Sequence, residues 1–169
     1  MTSAFVEEFS YLLDSQTDGM EASINAAEVL SHMASDGPAA WTISCPSRDF
    51  VLERLVRAIE TWDINTDRNI NYNTLRPIIG LLSVTHTREC QLWATWAIAN
   101  LTKFDESKYC PLVEQEGGLQ QIRDIVDDMV AEGLTRNNDV KEKLVNLGQR
   151  VVRSIETWRK NSEYSLLSI

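Results

Sequence analysis

Apolar side chains recur at helical spacing along almost the whole chain, and continuous strand-like alternation is absent. In residues 48–62, for example, the apolar residues form one helix face and the charged residues lie mostly away from it. Helix-ending signals follow at Asp36-Gly37-Pro38 and Glu116-Gly117-Gly118. Residues 63–73 are rich in Asn and Asp, whose side chains compete for backbone hydrogen bonds, so we expect a loop there. The sequence therefore predicts an all-α fold.

Two of the predicted helices resemble each other. Ser31-His32-Met33 aligns with Ala99-Asn100-Leu101, and the same shift places Ile24 on Leu92. A chain of this length accommodates about three repeats of roughly 40 residues. Repeated helix types without a strict period predict an armadillo-like solenoid of about three degenerate repeats, forming one domain over residues 1–169. A compact helical bundle is the alternative.

The strongest predicted helix, residues 88–104, contains an aromatic and amide pair. Trp96 and Asn100 stand four residues apart and therefore share a helix face. In armadillo solenoids, ladders of Trp and Asn hold an extended peptide, because the carboxamide bonds both peptide N–H and C=O groups. We expect Trp93, Trp96 and Asn100 to face the concave surface. The alternative is that the tryptophans fill the core, since indole rings are usually largely buried.

The charge and hydropathy of the chain limit its partners and location. The net charge is −9, with 25 acidic against 16 basic residues, which disfavours nucleic acid because phosphates require Lys and Arg. An acidic surface suits partners with positive charge, including a free peptide N-terminus, although it also simply favours solubility. No apolar run is long enough for a bilayer, and no signal peptide is recognisable. We expect no membrane contact and a cytoplasmic or nuclear location.

Features of an enzyme or a metal protein are not evident. Cys45, Cys90 and Cys110 form no C-x-x-C pair and are most simply reduced thiols. Neither His32 nor His86 lies in a recognisable catalytic setting, and the Cys and His residues lack zinc-site spacing. We therefore expect a non-catalytic protein without metal or cofactor.

Several motifs together resemble the Zyg/Zer family, and most closely its Zer-one branch, over roughly residues 5–135. They are Trp62-Asp63-Ile64-Asn65, Asn69-Ile70-Asn71-Tyr72, Gln91-Leu92-Trp93-Ala94-Thr95-Trp96-Ala97, and Lys108-Tyr109-Cys110-Pro111-Leu112 followed by Glu116-Gly117-Gly118. Members of this family are substrate receptors of cullin-two RING ubiquitin ligases. Their C-terminal armadillo-like repeats recognise degrons that begin with Gly or, in the Zer-one branch, also with Ser, Ala, Thr or Cys.

The resemblance implies that the chain is the C-terminal portion of such a receptor, with degron peptides as partners. Cullin-two and elongin would bind parts of the parent protein outside this chain, and the main ammonium-binding motifs would lie in preceding repeats. This chain would then supply the downstream wall of a concave peptide groove, formed by Asn25, Glu28, His32, Trp93, Trp96 and Asn100. A generic armadillo scaffold that binds a partner's peptide is the alternative. Residues 159–169 are expected to form a flexible tail.

Overall fold

The computed structural model describes residues 1–14, 19–133 and 139–167, with side chains as far as residue 164. These residues form eight α-helices and one short 3₁₀ turn, and no strand occurs in these ranges. The helices are α1 (Ser3–Leu13), α2 (Gly19–Ser35), α3 (Arg48–Thr61), α4 (Arg76–Leu82), α5 (Arg88–Phe104), α6 (Glu106–Gln115), α7 (Gly118–Ala131) and α8 (Asp139–Leu167).

Local sequence signals account for where several helices begin and end. Ser47 caps α3 by accepting a hydrogen bond from the backbone N–H of Phe50 at 3.3 Å. Asp105 caps α6 in the same way, through Lys108 N–H at 3.2 Å. Gly117, between α6 and α7, has a φ of 82°, a left-handed conformation that favours glycine.

The last helix is longer than its sequence pattern predicts. The apolar stripe predicts a helix ending at Trp158, whereas α8 continues to Leu167. The first residues of the predicted tail 159–169 therefore belong to this helix, and their flexibility stays a prediction. The apolar period is lost after Trp158, so periodicity alone gives no signal for this extension.

Helix α5 lies at the centre of the fold. It packs against α2, α3, α4, α6 and α8, and every residue from Cys90 to Thr102 is buried. The two helices that resemble each other in sequence, α2 and α5, pack directly against one another. The buried apolar residues of α1 to α8 form one continuous core. The predicted all-α helical-repeat solenoid is confirmed.

Within the described ranges, every helix is too short or too polar to cross a membrane.

Candidate functional site

The three predicted site residues on α5 are almost completely buried. The exposed fraction is 1% for Trp93, 3% for Trp96 and 0% for Asn100. The expectation that they face an open concave surface is wrong for this structure. The physical reason is that the irregular segment 62–73, which we call the strap, covers part of this helix and α8 packs along it.

Trp96 is covered by another tryptophan. Its ring centroid lies 4.8 Å from that of Trp62, with the planes tilted by 60°, an arrangement typical of attractive aromatic pairs. The Trp62 indole N–H donates to Ser23 Oγ at 3.2 Å, which fixes this ring against α2. The remaining edge of Trp96 borders a groove of about 400 Å³ beside Lys143 and Leu147 of α8.

Asn100 binds an extended backbone, but that backbone belongs to the same chain. Its Nδ2 donates to the carbonyl oxygens of Ile64 at 3.0 Å and Thr66 at 2.9 Å. Its Oδ1 accepts a longer hydrogen bond, 3.4 Å, from Nη1 of Arg68. A mid-helix asparagine is therefore explained by contacts with the strap rather than by an external ligand.

Arg68 anchors the strap in the protein interior. Its side chain is 1% exposed, and its Nε and Nη2 donate to the carboxylate of Glu21 on α2 at 2.9 Å and 3.0 Å. An arginine fork opposite a carboxylate gives a strong and directional contact. The Glu21 carboxylate is 31% exposed, so it is the buried guanidinium that would be left uncompensated without its partner, and this contact fixes the position of Arg68 in the strap.

The predicted site residues on α2 lie in a different environment. Glu28 and His32 are half-buried and line one open groove of about 780 Å³ between α1 and α2. The other lining residues are Met1, Thr2, Phe5, Val29 and Met33. Asn25 is exposed one turn before Glu28 and is not part of this lining. The structure thus brings together two of the six predicted residues in an accessible groove.

Glu28 is oriented by the far end of the strap. The Tyr72 hydroxyl donates to Glu28 Oε2 at 2.8 Å. Burial and the nearby Glu28 carboxylate raise the pKa of Tyr72 well above its usual value, so the phenol stays protonated as a donor. Among the residues described, no ion pair joins Glu28 to a basic side chain. This carboxylate therefore lies in a largely apolar groove with capacity for a cationic ligand.

Two of the cysteines are poorly suited to act as nucleophiles. Cys90 and Cys110 are buried, and burial raises the pKa of each thiol to about 12. The thiolate is the reactive form, so both groups stay largely protonated near neutral pH. Cys90 instead donates a hydrogen bond to the carbonyl oxygen of Ser31 at 3.2 Å, linking α5 to α2.

The sequence pattern does not point to Arg68 or Tyr72, because the Asn and Asp content of residues 63–73 predicts only a polar loop. A signal was nevertheless present. Ile64 and Ile70 interrupt this polar run, and the structure packs both against the core. Apolar residues spaced within an otherwise polar segment indicate a chain that is held down rather than solvated.

Fold and groove define the class of the protein: an all-α helical-repeat protein in which one repeat helix borders an open groove with an acidic residue. The family follows from comparison of sequences. The chain belongs to the family described as "Protein zer-1 homolog-like, C-terminal domain", whose model matches residues 1–157. The resemblance to the Zer-one branch is thereby confirmed.

Individual relatives agree with this assignment. The chain is 44% identical to "Protein zer-1 homolog" of Drosophila melanogaster over 155 residues, covering 75% of this chain. It is 48% identical over 136 residues to the protein of the same name in Homo sapiens, covering 80% of this chain. It is also 40% identical to "Zyg eleven-related protein 1" of Caenorhabditis elegans over 149 residues, covering 87%. The matches span 17–20% of the relatives' own length.

Proposed function

We propose that this chain is a peptide-recognition portion of a substrate receptor in a cullin-RING ubiquitin ligase. Its ligands are protein N-termini that begin with a small residue, namely Gly, Ser, Ala, Thr or Cys, and binding marks the substrate for proteasomal degradation. The chain itself catalyses no reaction. Cullin-two and elongin bind parts of the parent protein outside this chain. Membership of the zer-1 homolog family supports the receptor role.

One observation carries the choice of ligand. Glu28 presents a carboxylate in a groove whose other walls include Val29, Met33 and Phe5. The main ammonium-binding motifs that the family resemblance implies lie outside this chain, so Glu28 acts as a further carboxylate that accepts charge-assisted hydrogen bonds from a free N-terminal ammonium group. An acetylated N-terminus lacks that charge and leaves a partly desolvated carboxylate without compensation. In this proposal, the same apolar walls limit the size of the first side chain.

The roles of the neighbouring polar residues follow from their positions. Tyr72 holds the carboxylate of Glu28 through a 2.8 Å hydrogen bond and leaves the other oxygen available. His32 follows one helical turn after Glu28 on the same face, where its imidazole reaches the peptide backbone. Asn25, exposed one turn earlier, contacts the peptide only as it leaves the groove.

Fluorescence anisotropy with labelled peptides tests the proposal. Peptides that differ only in a first residue of Gly, Ser or Leu, together with an N-acetylated Gly peptide, are titrated with a receptor that contains these repeats and with the 169-residue chain. We expect tight binding for Gly and Ser and at least tenfold weaker binding for the Leu and acetylated peptides. Equal affinity for all four would contradict degron recognition and would favour a generic peptide-binding scaffold.

A charge-neutral variant tests the assigned contact. Glu28→Gln keeps the shape of the side chain and removes its charge. Hydrogen bonds to charged groups contribute about 1.5–3 kcal/mol, so affinity for the Gly peptide should fall roughly ten- to 150-fold. Glu142→Gln, at an exposed position on α8, is the matched control and should bind normally. Unchanged affinity in Glu28→Gln would remove Glu28 from the ammonium site.

A further inference from the structure

The strap makes some of the contacts expected of a bound peptide, because Asn100 bonds its backbone carbonyls, although Asn100 Oδ1 accepts from the Arg68 side chain rather than from a backbone N–H. Asn100 donates two hydrogen bonds from one carboxamide to the backbone carbonyls of Ile64 and Thr66, at 3.0 Å and 2.9 Å. Between and beside these carbonyls the strap has no regular secondary structure apart from a turn at residues 64–65. The indole ring of Trp62 packs against that of Trp96. The α5 surface that would bind a peptide is therefore filled by the protein's own backbone.

Contacts with three helices hold the strap along its length. Arg68 joins Glu21 of α2, with the arginine side chain 1% exposed. Further along, the Tyr72 backbone N–H donates to the Tyr109 hydroxyl at 3.3 Å, which ties the strap to α6. These contacts connect elements that are distant in sequence, so they define one position for the strap rather than a solvated loop.

The last residues of the strap lie beside the open groove. The Tyr72 hydroxyl lies 2.8 Å from Glu28, and Glu28 lines the groove between α1 and α2. A peptide chain that continued from Glu28 toward α5 would meet Tyr72, Arg68 and the strap backbone that is hydrogen-bonded to Asn100. The strap therefore contacts the groove residue Glu28 through Tyr72.

We propose that the strap is an internal pseudo-ligand that closes the groove at α5, so that only the end of a polypeptide fits beside Glu28. Selection of chain termini over internal segments then has a steric cause in addition to the ammonium charge. The selection of chain termini rests on the proposed function. The occupation of the α5 surface by the strap does not depend on that function. Arg68 is the residue that secures this closure.

Loosening the strap tests its effect on specificity. Two peptides are compared, one beginning with Gly and one in which five residues precede the same Gly. The wild-type chain should bind the extended peptide at least tenfold more weakly, whereas Arg68→Ala should reduce this preference to less than threefold. Arg76→Ala, an exposed arginine just beyond the strap, is the matched control and should keep the wild-type preference. An unchanged preference in Arg68→Ala would overturn the steric role of the strap.

Two further measurements do not depend on degron binding. In hydrogen exchange, the amides of residues 62–73 should exchange at least tenfold faster in Arg68→Ala than in Arg76→Ala. In addition, residues 63–73 are replaced by a Gly-Ser linker of equal length, and a labelled synthetic peptide of residues 63–73 is added. This peptide should bind the replaced chain, not the wild type, and addition of Asn100→Ala should abolish binding.

The outcomes separate the two proposals. Failure of the wild type to bind any Gly peptide, with trans binding of the strap peptide intact, would reject the degron function and retain the pseudo-ligand. Equal exchange in Arg68→Ala and Arg76→Ala would overturn the pseudo-ligand whether or not Gly peptides bind. The same conclusion would follow if the replaced chain kept its helical circular dichroism and failed to bind the strap peptide.

Discussion

Replacing Trp96 with alanine should destabilise the protein strongly. The side chain is only 3% exposed and packs on Trp62 with ring centroids 4.8 Å apart. Truncation of a buried aromatic residue to alanine costs about 3–5 kcal/mol, because it combines lost burial with a cavity. A chain of this size loses about 2–4 °C of Tm per kcal/mol, so the Tm should fall by roughly 6–20 °C.

Thermal unfolding followed by circular dichroism at 222 nm, with urea titration at 25 °C, measures this effect. Trp158→Ala is the matched control, because this tryptophan is only half-buried against the core. The decrease in Tm caused by Trp158→Ala should be less than half of the decrease caused by Trp96→Ala. A Tm for Trp96→Ala equal to that of the wild type would refute the buried position and restore the open, peptide-facing one.

Two other properties follow from the packing. The pKa values of Cys90 and Cys110 are raised to about 12, whereas unfolded thiols titrate near pH 8.5, so the unfolded chain releases protons first. The stability that these thiols contribute should be intact below about pH 8.5 and decrease up to about pH 12, as urea midpoints would show; a constant midpoint would refute this. Gly148→Ala should destabilise by about 1–3 kcal/mol, because its Cβ would lie 2.5 Å from Val126 Cγ2 on α7. Gly80→Ala, with open space around its Cβ, should stabilise by about 0.4–1 kcal/mol; equal urea midpoints for these two variants would contradict the packing.

The helices could be predicted because their signals are local. Helix α5 has the predicted bounds, since its apolar residues follow helical spacing and Asp105 after it caps the next helix. The predicted loop at residues 63–73 is also confirmed as irregular. Capping, glycine conformations and periodicity all act within a few residues, so they can be recognised from one sequence.

The exposure of a helix face could not be predicted in the same way. Periodicity correctly placed Trp96 and Asn100 close together, but it does not say what covers them. The cover comes from residues 62–73, about 30 or more positions away in the chain. The repeat alignment that places His32 on Asn100 also places Glu28 on Trp96 and predicts equivalent surroundings, but Glu28 lies beside a groove. Repeat symmetry fails here because the strap covers α5 and reaches only the edge of the α2 groove.

The position of the peptide site is the central claim, and a nuclear magnetic resonance titration tests it most directly. Backbone and indole N–H signals of the ¹⁵N-labelled chain are followed while a Gly-starting peptide is added. We predict the largest shifts at Glu28, Val29 and His32, with the indole signals of Trp93 and Trp96 unchanged. Large shifts of the α5 indoles and of Asn100, with none on α2, would contradict the account.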